Sequence, residues 1–379
     1  MTEFLAAANE LHRQSIVLDG HADTPQRFLD ESWNWVGDDL GLGQLSGATA
    51  LKGGLDGGFL IAWPEPTAWT GRFAERTNVL IESVHRQAAR HPESLRVCRT
   101  PDEIRAARRD GVFAAMIGVE GGHAIENRLD LLRQFHEGGA RYMTLTWANA
   151  NDWCGSSRAG ENAMGLTDFG RDVVHEMNRL GMLVDVSHVS DHAFTDVLET
   201  SAAPIIASHS SARSLCGAAR NLTDDMVRAL AAKGGLVMVN FFAAFLSDDW
   251  RAHWNATKPE MEAALKPVRD RYAANKQPLP FFAELEIERG FARSLPAVPF
   301  SVLVDHFDHL LRVAGPEHVG IGSDFDGIPL SVEGMETAAD LPKITAGLLQ
   351  RGWQADDLRG MLGENLLRVM GEAQALASA

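Results

Sequence analysis

Eight short runs of β-branched and aliphatic residues recur along the chain, each closing on polar or glycine-containing sequence. They are SIVLDGHAD (15–23), GGFLIAWP (57–64), FAAMIGVEGG (113–122), RYMTLTWA (141–148), LVDVSH (183–188), PIIASHSS (204–211), LVMVNFF (236–242) and VGIGSDFDG (319–327). Between them lie segments with helical periodicity, such as DLLRQFHEGG, GRDVVHEMNRLG, SDHAFTDVLETS and TDDMVRALAAKGG, several opening on Ser, Thr or Asp and closing on Gly. Strand and helix alternating eight times predict an α/β fold of the (β/α)8 TIM-type barrel class. A doubly wound open sheet competes, but no GxGxxG or phosphate-binding loop follows the first strand. With 379 residues, 45% of them apolar, a single barrel domain over residues 1–379 is expected. Two connections, 24–56 after the first strand and 243–300 after the seventh, are too long for simple turns. Long loops at strand C-termini wall or cover an active site, or else form oligomer contacts, so a homodimer is among the assemblies allowed.

Acidic residues outnumber basic ones by 51 to 35, for a formal charge of -16, which argues against a surface that neutralises nucleic-acid phosphates. Cys98, Cys154 and Cys216 are scattered without CxxC spacing, so neither a disulfide framework nor a thiolate zinc site is supported, and a reducing cytoplasm is the expected location. No run approaches the roughly 20 apolar residues that span a bilayer, and neither end reads as a secretory signal or a lipid-anchor tail. A soluble protein, complete as written and without a membrane partner, is the expectation.

The chemistry sits where the apolar strands end. His21 and Asp23 close the first strand, and side chains two apart on a strand point the same way, so the pair offers imidazole and carboxylate to one ion. Glu120 ends the third strand, His188 the fifth and His209 the sixth. In a barrel these ends converge on one mouth. His188 and His209 can then hold a second ion, with Glu120 as the candidate bridge, because two cations about 3.5–4 Å apart need an anion between them. A lone histidine at a strand end is more often structural; five donor types at four strand ends favour a site. Mixed nitrogen and oxygen ligation without thiolates suits zinc first, with manganese, cobalt or iron as alternatives. Asp324, ending the eighth strand, is positioned to move a proton between an attacking water and a leaving nitrogen. Asp326 has the same facing but reads better as a turn residue before Gly327. Arg220 is either a surface arginine preceding a helix or a fork for a substrate carboxylate. His123 reads as a structural hydrogen-bonding histidine rather than an outer partner of a ligand. Trp63 and Trp69 read equally as pocket lining or as core and rim aromatics.

In combination, DGHADTP, GVEGGH, RYMTLT, VDVSHVS, SHSSARSLCGAARN and GSDFDG resemble the membrane (renal) dipeptidase family of the amidohydrolase superfamily, in that family's order from residue 19 to 327. The resemblance implies a two-zinc barrel with His21 and Asp23 on one ion, His188 and His209 on the other, and Glu120 bridging. It implies Asp324 as the proton shuttle, Arg220 as the clamp for the substrate's terminal carboxylate, and hydrolysis of dipeptides by a metal-bridging hydroxide, often with a D-residue on the carboxyl side. The chain departs from the family where a histidine often follows the RYxTLT sequence, for here stands Trp147, which can donate one hydrogen bond but cannot act as an imidazolium. Trp147 and the neighbouring Asn149 are therefore candidate substrate contacts. The departure keeps two other functions in view: hydrolysis of another small amide, lactam or ester such as an N-acyl amino acid, and a metal-binding protein whose catalysis has lapsed.

Overall fold

The computed structural model describes residues 2–37, 40–41, 43–160, 163–277 and 279–377. Eight parallel strands close on themselves: β1 (Leu18–Ala22), β2 (Gly57–Ala62), β3 (Phe113–Glu120), β4 (Ala140–Thr144), β5 (Leu183–Asp185), β6 (Ile206–Ala207), β7 (Leu236–Val239) and β8 (Val319–Ile321). Each pairs with its neighbours in chain order, and β8 returns to β1 through Asp19 and Ile321, which completes the expected (β/α)8 barrel. A further short strand, Leu95–Val97, lies outside the barrel on the edge of β3 and was not among the eight runs. At three residues it is too short to carry a period.

Strand residues alternate between two buried layers, as a closed sheet inside a helical ring requires. Phe59, Ile61, Met116, Tyr142, Leu236 and Met238 belong to the cluster filling the barrel, while Leu60, Ala62, Ile117, Val119, Val237 and Val239 pack outward into the layer of helices. The bulky Tyr142 fits because Gly118 stands opposite; a Cβ there would come within 2.6 Å of the phenol ring. The helices begin as the sequence signals indicate: the side chains of Thr167, Ser190 and Thr223 each accept a backbone N–H of the following first turn, and helix Asp168–Leu180 ends on a left-handed Gly181.

The two long connections are not irregular loops. Residues 24–56 contain helices Pro25–Asp30 and Gly47–Gly53, and 243–300 is mostly helical, with Asp248–Ala274 running through Pro259 and Pro267 before Phe281–Arg293. The prolines hide that 27-residue helix from a sequence reading, since each removes a backbone donor. The strands are also shorter than the apolar runs. His188 lies three residues past the end of β5, His209 two past β6 and Asp324 three past β8, with His188 and Asp324 in left-handed backbone at φ +70° and +62°.

Asp326 fixes the first connection to the barrel. Its buried carboxylate accepts the Thr24 hydroxyl and the Gln44 backbone N–H, both at 2.6 Å, and its own N–H donates to the Gln44 side chain. It therefore does more than terminate a turn. Asp326→Ala is expected to cost about 2–4 kcal/mol, because buried donors on the partner loop lose a charged acceptor; an unchanged denaturation midpoint would refute this.

Candidate functional site

At the C-terminal mouth of the barrel the five strand-end donors meet. His21 Nε2 lies 3.6 Å from an Asp23 oxygen and 3.7 Å from a Glu120 oxygen. The other Glu120 oxygen lies 2.9 Å from His188 Nε2 and 3.3 Å from His209 Nε2, and these two imidazole nitrogens are 2.9 Å apart. Asp324 joins His21 and Asp23 in a second, overlapping group of donor atoms. Gly327 makes this crowding feasible: a Cβ there would fall 2.2 Å from Asp23 Oδ2 and 2.5 Å from Asp324 Oδ1.

A β-bulge aims the first pair. The pairing of β1 with β2 slips between Asp19 and Ala22, which turns His21 and Asp23 toward the mouth together. Outer contacts then orient the rings. His21 Nδ1 bonds the Tyr142 hydroxyl at 2.7 Å, and His209 Nδ1 bonds Ser208 Oγ at 2.7 Å, whose hydroxyl donates to Asp185 at 2.6 Å. Asp185 also accepts the Ser187 and Ser208 backbone N–H groups, tying the ends of β5 and β6 together. These partners leave the Nε2 atoms facing inward.

The electrostatics suit a cation. Burial pushes the Glu120 carboxyl well above its ordinary value, and burial drives His188 and His209 well below theirs. Burial would also lower His21, but the Glu120 and Asp23 carboxylates outweigh it and raise it to about 9. His21 Nε2 and Asp23 Oδ1 are buried without a hydrogen-bond partner, an expensive arrangement unless an ion takes their lone pairs. Facing imidazoles and carboxylates without a thiolate form a donor set that fits a divalent metal of the zinc type.

Around this cluster, Asp324 accepts Asn240 Nδ2 at 2.9 Å, and burial raises its carboxyl to about 7. Arg220 is buried, with Nη2 donating to the His209 carbonyl at 3.1 Å, Nη1 to Ser210 Oγ at 3.3 Å, Nε unpaired and the guanidinium over the Phe245 ring. Trp147 stands at the rim with its ring 6.3 Å from that of His188 and 4.7 Å from that of Trp63. Asn149 is drawn less closely into the site: its amide reaches the carbonyl of neighbouring Ala150 at 3.5 Å. His123 bonds the Pro64 carbonyl at 2.8 Å, the structural role expected of it. Trp63 is buried, and with Trp69 it lines a cavity of about 340 Å³ beside the mouth, bounded on its far side by the long insertion through Tyr272 and Phe281. The same insertion stacks Trp250 and Trp254 near Phe242. It walls the mouth.

Tyr142, Ser208, Asp185 and Asn240 were missed in the sequence. Asn240 had a signal, since it too is a polar residue ending an apolar strand; the other three are recognisable only once their partners are adjacent.

The sequence model of the membrane dipeptidases, peptidase family M19, matches residues 5–379. The chain belongs to that family. It is 31% identical to human Dipeptidase 3, over 97% of this chain and 67% of that protein. Among solved structures, this M19 chain is similar to the probable dipeptidase PvdM from Pseudomonas aeruginosa, with 26% identity and a TM-score of 0.83 over 99% of both chains. It is also similar to a Rhodobacter sphaeroides metallopeptidase solved with a phosphinate mimic of the dipeptide L-Ala-D-Ala, with 25% identity and a TM-score of 0.74 over 95% of this chain and 99% of that one. An M19 metallopeptidase is a peptide-bond hydrolase that uses divalent metal.

The outer contacts of this M19 chain give a direct test. Tyr142→Phe and Ser208→Ala are each expected to weaken zinc binding about 10–100-fold in competition with a chromogenic chelator, with the far-UV spectrum unchanged. Unaltered affinity in both variants would show that the rings are oriented by packing alone.

Proposed function

We propose that this chain hydrolyses dipeptides with two zinc ions at the barrel mouth, His21 and Asp23 holding one, His188 and His209 the other, and Glu120 shared between them. The observation that carries the reading is the convergence of five donors from four strand ends, four of them buried, with unpaired donor atoms at its centre. When bound, such ions supply Lewis acidity and lower the pKa of water.

The chain's own residues supply the rest. Asp324, held by Asn240, takes the proton from the attacking water and returns it to the leaving amine. Arg220, fixed by Ser210 and the His209 carbonyl, keeps its planar fork oriented for the substrate's terminal carboxylate. Trp147 covers the side of the mouth next to His188, and Asn149 follows it in the same loop as a further substrate contact. The insertion after β7 packs Phe281 against Trp63, which in turn meets Trp147 at the rim. The Rhodobacter relative's L-Ala-D-Ala mimic supports acceptance of a D-residue on the carboxyl side. The three cysteines are free and buried, which supports a reducing, cytoplasmic setting for one catalytic domain.

In assays of L,L- and L,D-dipeptides with metal-analysed protein, Asp324→Asn is expected to retain bound metal and to lower kcat by at least about 100-fold, the usual range for loss of a general acid–base. Arg220→Met is expected chiefly to raise KM for substrates with a free carboxylate. Wild-type turnover of N-acyl amino acids or lactones with no dipeptide cleaved would overturn the reading.

A further inference from the structure

The loop after β4 brings a second arginine to the mouth. Ser156 Oγ donates to the Trp147 carbonyl at 2.8 Å and to that of Ala148 at 3.1 Å, and the Ser157 N–H donates to the His188 carbonyl at 2.8 Å. Residue 158 is thus clamped to the backbone of a metal-ligand candidate. Its guanidinium lies 5.9 Å from the Trp147 ring centroid, and that ring in turn faces His188. The side chain reaches solvent and makes no ion pair or side-chain hydrogen bond among the described residues. Arg171, Arg213 and Arg269, by contrast, find carboxylates.

Its charge is felt inside the site. Arg158 is among the groups that lower His188 and Arg220, after burial in both cases. The insertion after β7 carries two further charged groups near enough to interact with Arg158: Lys258, which Arg158 disfavours, and Glu288. Glu288 is the carboxylate that acts on Arg158, but burial and the neighbouring Glu284 raise it to about 7, so it compensates Arg158 only in part at neutral pH. Arg158 thus brings positive charge to the rim beside Trp147, although the protein as a whole is strongly anionic.

We propose that Arg158, steadied by Trp147, is a specificity-determining residue that selects dipeptides carrying an aspartyl or glutamyl side chain, in addition to the terminal carboxylate assigned to Arg220. The inference rests on the dipeptidase reading. An arginine fork with no ion-pair partner among the described residues, on a loop anchored through Ser156 and Ser157, gains a charge-assisted contact from such a side chain, whereas a neutral side chain offers it nothing.

The test compares kcat/KM for Ala-Ala, Glu-Ala, Ala-Glu, Lys-Ala and Ala-Lys, with the D-epimer at the second position included, in wild type, Arg158→Met and Arg158→Glu. Wild type is expected to favour at least one acidic substrate over Ala-Ala by about tenfold. Arg158→Met should bring that ratio close to one through KM, and Arg158→Glu should shift preference toward the lysyl peptide at the same position. A structural role would scale all substrates together and leave the ratios fixed. Cleavage of Ala-Ala without acidic preference, or an acidic preference that survives in both variants, overturns this inference and leaves the dipeptidase reading intact. Failure to cleave any dipeptide overturns that reading and this inference with it.

Discussion

Everything at the mouth of this barrel depends on one carboxylate taken out of water. Glu120 ends the longest barrel strand, 4% exposed, with three imidazoles within 3.7 Å of its oxygens. An uncompensated charge in such a place is costly, and the surrounding histidines compensate it only if they are protonated or if a cation replaces their protons. Burial works against protonation of His188 and His209. The fold has thus concentrated donors that satisfy one another poorly, and a divalent ion resolves the conflict. Tyr142, and Ser208 with Asp185, determine which nitrogen of His21 and of His209 faces inward, so their influence is exerted through orientation rather than contact.

Arg220 and Arg158 divide the remaining positive charge at the site between two environments. Arg220 is buried, held by a carbonyl and a hydroxyl, and pressed against Phe245; Arg158 stands at the rim against an indole. The first is rigid and desolvated, so its interactions are strong and exacting. The second is solvated, so its attraction is weaker, falls with added salt, and discriminates among substrates more than it holds them.

The barrel was legible because eight apolar runs alternated with capped helices, a pattern that local chemistry creates and the closed sheet preserves. The donors were legible because each stood at the end of such a run, where a polar residue needs a reason. What escaped was of two kinds. Helix Asp248–Ala274 was obscured by Pro259 and Pro267 and by an amphipathic pattern too weak to outweigh them. Tyr142, Ser208 and Asp185 lie inside motifs that were noticed, but their roles follow from pairings across 121 residues in one case and 23 in another, which no local pattern encodes. Asp326 was read as a turn residue and proved to be the tie between β8 and a loop some 280 positions earlier. Side-chain partnerships between distant strand ends exist only after the barrel closes.

The left-handed backbone at His188 and Asp324 has a further consequence. A residue with a Cβ in that conformation costs about 1 kcal/mol or more relative to glycine, so the fold holds both loops against their local preference. Glycine at either position would relax the chain while deleting a side chain of the proposed site. On the proposed roles of these two residues, a mutant library screened for heat resistance alone would enrich well-folded proteins without them, and only a screen that also demanded turnover would keep them.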